Sequence, residues 1–405
     1  MYKVLIVDDS DVARQLLMSI FALSDDFLVV GVAENGQQGF EKACSLRPDL
    51  ITMDLHMPVM NGYKAVEIIM SEQPAPIMVI TSYKESETAF RCIALGALDV
   101  LDKPGLYDLE DTFFIDEFLD RARLLATTRV IRRISSGLKK DSTPSGCNRD
   151  NVSPDCSRES GESPAKSKQI SAEMSREAQN IDAVEFSATT NGFSISVDSD
   201  RAFDSGISFD SAGITNLASE HLVAIASSTG GPQALCEFLK DIPADFPAAI
   251  LIVQHLSAGF EEGFALWLSG HTPLNVKIAE DGELLSSGSV LIAPPGKHVI
   301  VTQGRLVKFH EALPVASHKP SAKFLFESAA LVYGAQATGV ILTGMGSDGS
   351  VEIGEIKKAG GLTIGQDEET SIIYGMPGVA AKLGTVTEIL PVEKIAPRVV
   401  SWVTG

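Results

Sequence analysis

Three residues in the C-terminal half are of the types that hydrolyse an acyl bond: Ser228, His255 and Asp348. A serine hydroxyl is a weak nucleophile at neutral pH until a base takes its proton, and the base needs an acid to orient it. Each of the three follows an apolar run. Ser228 ends the run from 222 and precedes Thr229, Gly230, Gly231 and Pro232; His255 follows 248–253, and Asp348 lies beyond 339–342. Proline suits a first helical turn, so 228–233 reads as strand, tight turn, helix. The free N–H groups of such a helix start can hold an oxyanion. The G-x-S-x-G form of the nucleophile turn is absent. The plainer reading is a turn that binds an anion or merely turns. For the base, His221 stands at the amino end of its strand, and His271 and His310 lie where no strand end is evident. His298 and His318 sit in loops and remain open as alternatives to His255.

A second set lies in the N-terminal half: Asp8, Asp9, Asp54, Thr81 and Lys103, each at the end of a β-rich run. Three crowded carboxylates repel one another unless a cation joins them, and Mg²⁺ is the natural hard partner. With the ion in place Asp54 can attack a phosphoryl group, Lys103 can neutralise its charge and the Thr81 hydroxyl can bond it. The plainer reading is a solvated acidic loop with a lysine near a helix end. Five such residues at the ends of four strands argue against it.

The elements that must position both sets are α/β. Strand-like runs at 3–7, 27–32, 49–53, 77–80 and 98–101 alternate with helical patterns, the first carrying Val12, Leu16, Leu17, Ile20 and Phe21. The second half repeats the alternation at 222–227, 248–253, 290–293, 339–342 and 362–364, with helices expected near 260–268, 323–332 and up to 359. Alternation of this kind implies two parallel-sheet domains. Ligands then gather at the carboxyl ends of the strands, where the candidate residues fall. Between the halves, Ser, Asn, Asp, Glu and Gly dominate without apolar period, which reads as a disordered linker. The expected boundaries are 1–125, linker 135–219, and 220–405.

Composition narrows the class. The 405 residues carry a formal charge of −20, with 44% hydrophobic and 21% charged residues. A strongly acidic chain is not a general nucleic-acid binder. No apolar run has the length of a membrane span, and residues 1–8 turn acidic too soon for a signal peptide, so direct membrane insertion is not expected. The five scattered cysteines read as free thiols of a reducing cytoplasm, without metal-ligand spacing.

The motifs carry two resemblances. Asp8-Asp9, Asp54-Leu-His-Met-Pro58 with Asn61-Gly62, Thr81 and Lys103-Pro104 resemble a response-regulator receiver domain. That resemblance implies a flavodoxin-like fold and phosphorylation of Asp54 by a chemotaxis histidine kinase. It implies direct Mg²⁺ contacts from Asp9, Asp54 and the His56 backbone carbonyl, with Asp8 acting through water. Val100 stands where receivers commonly carry an aromatic, so the expected switch is a movement of Thr81. Residues 221–405 resemble the chemotaxis protein-glutamate methylesterases. They do so through Ser228-Thr-Gly-Gly-Pro-Gln233, Val253-Gln-His255, Leu291-Ile-Ala-Pro294, His318-Lys-Pro-Ser321, Leu342-Thr-Gly-Met-Gly-Ser-Asp-Gly349 and Gln366-Asp-Glu-Glu-Thr-Ser371 with Tyr374-Gly-Met-Pro377. This second resemblance implies a doubly wound catalytic domain with Ser228 as nucleophile, His255 as base and Asp348 as orienting acid. The N–H groups of Met345 and Thr229 are the implied oxyanion donors. It implies hydrolysis of glutamate γ-methyl esters on methyl-accepting chemotaxis receptors, extending to deamidation of receptor glutamines, with no cofactor in the catalytic domain. It also implies that the unphosphorylated receiver covers the catalytic cleft. The family's Gly-Ala-Ser is here Ala226-Ser227-Ser228, which leaves Ser227 as an alternative nucleophile. The rival reading is a signalling scaffold with an inert esterase.

Overall fold

The computed structural model describes residues 1–82, 86–128, 130, 218–315 and 318–405. The expected linker lies outside them except for its last two residues. Of these, Ser219 is buried, and its hydroxyl donates to the His221 carbonyl at 2.7 Å and accepts from the Ala249 N–H at 3.0 Å.

In the N-terminal half the runs rich in Val, Ile and Leu form β1 (Tyr2–Val7), β2 (Phe27–Ala33), β3 (Leu50–Met53), β4 (Ile77–Thr81) and β5 (Asp99–Asp102). They make one parallel sheet in the order β2-β1-β3-β4-β5. Side chains alternate across it, as a strand requires. Leu5, Val7, Ile51 and Met53 fill one face, and Val4, Ile6, Leu50, Met78 and Ile80 the other. Helices α1 (Asp11–Ala22), α2 (Gly36–Leu46), α3 (Gly62–Glu72), α4 (Ser86–Leu95) and α5 (Thr112–Thr127) cover both faces. The side chains of Ser10, Asn35, Asn61 and Asp111 cap α1, α2, α3 and α5, each accepting from a first-turn N–H. The strand order reverses between β1 and β3, so Asp8 and Asp54 emerge side by side.

The C-terminal half holds β6 (His221–Ser227), β7 (Ala248–Gln254), β8 (Asn275–Ile278), β9 (Ser289–Ile292), β10 (His298–Val301), β11 (Val307–His310), β12 (Ala337–Ile341), β13 (Leu362–Gln366) and β14 (Glu388–Leu390). Seven of these form a second parallel sheet, β14-β13-β12-β6-β7-β9-β8, while β10 and β11 pair as an antiparallel hairpin. Around the sheet lie α6 (Gly231–Leu239), α7 (Glu261–Ser269), α8 (Ala322–Tyr333), α9 (Ile353–Lys358), α10 (Met376–Leu383) and α11 (Val392–Thr404). The α/β expectation of two parallel sheets is therefore met. Strands β12, β6 and β7 are neighbours, with Ala226 opposite both Ile341 and Val253. Among the described residues no helix is long and apolar enough to cross a membrane.

The two sheets' helices meet at α4. Phe90, 1% exposed, enters a nest of rings from α7 and the residue before it, with centroids 5.0 Å from Phe264, 6.0 Å from Trp267 and 6.4 Å from Phe260. Burying one such ring contributes roughly 1.5–3 kcal/mol.

Candidate active site and receiver acidic site

Ser228 sits just past β6 and is 2% exposed. Its N–H donates to the Thr343 carbonyl at 3.1 Å, which ties the end of β6 to the loop after β12. Gly230, the cap of α6, has φ 77°, a left-handed conformation that a side chain disfavours. A Cβ on Gly344 would come within 2.8 Å of the Ser228 Cβ, so glycine there lets the loop before Asp348 approach Ser228. Ser227 differs in its hydroxyl. It is fully buried, and its hydroxyl donates to Gln254 Oε1 at 2.6 Å. The Gln254 Nε2 donates in turn to the carbonyls of Ser228 and His255, both at 3.0 Å. One glutamine thus clamps both strand ends, and Ser227 is committed to it. Ala226 lies inside β6 with its Cβ in the core, so the turn does not need the usual glycine there.

His255 and Asp348 are brought together: His255 Nε2 is 3.0 Å from Asp348 Oδ2. The carboxylate also accepts from the Ser321 hydroxyl at 2.5 Å and the Ala322 N–H at 2.8 Å. Burial alone would push this carboxyl up, but the hydrogen bonds from His255, Ser321 and Ala322, with the His255 charge, hold it below the usual carboxylate range. With Nε2–H donated to Asp348, the lone pair of His255 is on Nδ1, which is buried without a protein partner. Ser228 Oγ makes no hydrogen bond among the described residues; Ser228 and His255 follow the paired ends of β6 and β7, Ser227 and Gln254. The N–H groups of Thr229 and Met345 likewise donate to no acceptor among the described residues, as donors awaiting an oxyanion must.

The other histidines are also placed. His221 stays at the start of β6, and His271 donates its Nδ1–H to the Trp267 carbonyl. His298 is buried and bonded to Leu313 and Ser321. His318 stacks on His255 itself. Sequence reasoning did not find Gln254 or Ser321 as support. Ser321 caps α8, and its place before a helical pattern was a usable signal.

In the N-terminal half, carboxylate oxygens of Asp8, Asp9 and Asp54 lie within 4.8 Å of one another. Lys103 Nζ is 2.9 Å from Asp8 and 3.0 Å from Asp54. Burial pushes the Asp54 carboxyl up to about 6; Lys103 pulls it down by less, and Asp8 adds to the rise. A hard divalent cation would relieve that, and this all-oxygen donor set fits one. Thr81 is buried at the end of β4, where its carbonyl accepts from the Lys103 N–H at 3.2 Å. His56 is exposed two residues beyond Asp54.

Helix α5 shares a cavity with the loops that carry His255 and His318. A cavity of about 250 Å³ is lined by Glu117, Phe118 and Arg121 on one side and by His255, His318 and Pro320 on the other. Arg121 reaches Asp99 at 3.4 Å and Glu117 at 2.9 Å. Asp99 is itself buried beside Thr229, the residue after Ser228.

Comparison with known proteins gives two domain matches. Residues 223–399 match the CheB methylesterase family and residues 4–112 the response regulator receiver domain. The chain is similar to protein-glutamate methylesterase/protein-glutamine glutaminase 2 of Anaeromyxobacter dehalogenans (strain 2CP-C), 36% identical across 99% of this chain and 97% of that protein. It is also similar to protein-glutamate methylesterase/protein-glutamine glutaminase 3 of Paramagnetospirillum magneticum (strain ATCC 700264 / AMB-1), 35% identical across 100% of this chain and 96% of that one. Among solved structures, the Thermotoga maritima CheB methylesterase catalytic domain is 35% identical, covering 45% of this chain and 97% of its own, with a TM-score of 0.43.

Proposed function

As a member of the CheB methylesterase family that carries a receiver domain, this chain is a regulated protein-glutamate methylesterase and glutaminase, and we propose that Ser228, His255 and Asp348 do its chemistry. The carrying observation is the His255–Asp348 pair at 3.0 Å beside the strand end that holds Ser228. Asp348, kept ionised, fixes Nε2–H of His255 and leaves Nδ1 as the base. Nδ1 takes the Ser228 proton as Oγ attacks the γ-carbonyl of a receptor glutamyl ester. The N–H groups of Met345 and Thr229 receive the oxyanion. His255 then gives the proton to the departing ester oxygen as the C–O bond breaks, releasing methanol, or to the amide nitrogen of a glutamine, releasing ammonia. Water, activated by the same nitrogen, frees the acyl-enzyme.

The domain boundaries we adopt are 1–125, 135–219 and 220–405. In the receiver, Asp9, Asp54 and the His56 carbonyl would hold Mg²⁺, with Asp8 acting through water. The bound ion supplies the positive charge that phosphoryl transfer to Asp54 requires. Lys103, now shared by Asp8 and Asp54, turns to the phosphoryl group, and the Thr81 hydroxyl follows it. The phosphodonor is a chemotaxis histidine kinase, the substrates are methyl-accepting chemotaxis receptors, and the site of action is the cytoplasm. Because α5 shares a cavity with His255, phosphorylation acts by loosening that contact.

The test is methanol release from methyl-labelled receptor. We expect Ser228→Ala to abolish it and Ser227→Ala to keep most of it. Release that survives the first change and disappears with the second would move the nucleophile to Ser227.

A further inference from the structure

The hydrolytic set leaves one contact unexplained. The His318 ring lies on the His255 ring, with centroids 4.0 Å apart and planes 21° from parallel. Three and four residues on, the Ser321 hydroxyl and the Ala322 N–H both donate to Asp348. The short segment 318–322 therefore touches the base at one end and its acid at the other. The segment is anchored from behind as well: the Ser321 N–H donates to His298 Nδ1 at 3.1 Å, and His298 Nε2 meets the Leu313 carbonyl at 3.1 Å.

We propose that His318 is a positioning residue for the hydrolysis, its neutral ring holding the His255 imidazole in the plane that presents Nδ1 to Ser228. The proposal rests on the reading of Ser228, His255 and Asp348 as the hydrolytic set. His255 is tethered at one nitrogen alone, so its ring can swing about the bond to Asp348. A flat neighbour at stacking distance removes that freedom, and small misplacements of a reacting group slow a step severely. Among the described residues neither ring nitrogen of His318 makes a hydrogen bond. Its Nδ1 is buried without a hydrogen-bond partner, so the ring acts as a plane and not as a donor.

The role also demands that His318 be uncharged. When His255 takes the serine proton it becomes a cation, and a second cation stacked on it would oppose the step. Burial holds His318 at about 4, and the His255 charge adds to the fall; Asp348 and Glu117 work against it, and Arg121 with it. Lys319 lines the same cavity. His318 is therefore neutral at neutral pH.

The experiment uses the full chain with a small phosphodonor and Mg²⁺, and follows methanol release from methyl-labelled receptor by wild type, His318→Phe and His318→Leu. Circular dichroism and thermal melting check each fold. Phenylalanine keeps the plane without a nitrogen to bury; leucine keeps the volume without the plane. We expect His318→Leu to lower kcat by about 10- to 100-fold with KM within about twofold, and His318→Phe to stay within about threefold of wild type. A folded His318→Leu protein with wild-type kcat overturns the proposal. So does a folded His318→Phe protein slowed more than about tenfold, which decides the matter even if the leucine variant does not fold. A folded wild type that releases no methanol would instead overturn the reading of the site on which the proposal rests.

Discussion

The two adjacent serines of the nucleophile turn have opposite fates. Among the described residues the Ser228 hydroxyl makes no hydrogen bond, whereas Ser227 spends its hydroxyl on Gln254. Ser228→Ala should lower kcat by several orders of magnitude, on the order of 10⁴ or more. Ser227→Ala leaves Gln254 Oε1 buried and unpaired, so it should lower stability by about 1–3 kcal/mol while keeping most activity. Thermal melts and rates on the two variants separate these effects. Asp54 gives a prediction in pH. Its carboxyl is raised from 3.8 to about 6, so between those values the folded state holds more protons than the unfolded one. Stability therefore falls as pH rises through that window, by roughly 2–3 kcal/mol in total. In the absence of Mg²⁺, Asp54→Asn should raise the melting temperature at pH 7.5 and change it little near pH 4. An Asn variant no more stable than wild type at pH 7.5 would show that the Asp54 charge is not strained.

At the scale of elements, the ring nest around Phe90 fixes α4 against α7. Phe90→Ala should remove about 3–5 kcal/mol of packing. If that packing holds the cover over His255, the unphosphorylated variant should release methanol faster than unphosphorylated wild type. Equal rates would place the restraint elsewhere. The strands that carry the site were legible in the sequence because β6, β7 and β12 are buried on both faces and read as continuous apolar runs. Edge strands β8 and β14 were not, since Asn-Val-Lys-Ile and Glu-Ile-Leu are short and half polar. The hairpin of β10 and β11 escaped notice because each of its strands is only four residues long. His255 and Asp348 could be placed at one sheet edge from strand ends alone. The support from Ser321 and Gln254 could not, because it depends on side chains meeting across 27 residues of chain in each case. Ala226 raised a question about the turn that only the strand register answers.

At the scale of the molecule, two parallel sheets present their carboxyl edges to different tasks, one acidic and phosphate-accepting, the other esterolytic. The linker between them falls outside the described residues, but its length bears on control. For a passive coil, effective concentration falls as about the −3/2 power of length, so halving the linker should tighten inhibition only about threefold. A fragment from residue 219 should be more active than the unphosphorylated full chain, and equal rates would exclude inhibition by cleft covering. The central claim is that Ser228 hydrolyses receptor methyl esters under the control of Asp54. Its most direct test is the initial rate of methanol release from methyl-labelled receptor, with Mg²⁺ and with or without a small phosphodonor, for wild type, Asp54→Asn and Ser228→Ala. The account predicts a wild-type rate that rises with phosphodonor, an Asp54→Asn rate that does not respond, and no release from Ser228→Ala under either condition. Methanol release from folded Ser228→Ala, or an Asp54→Asn rate that rises with phosphodonor as wild type does, would contradict it.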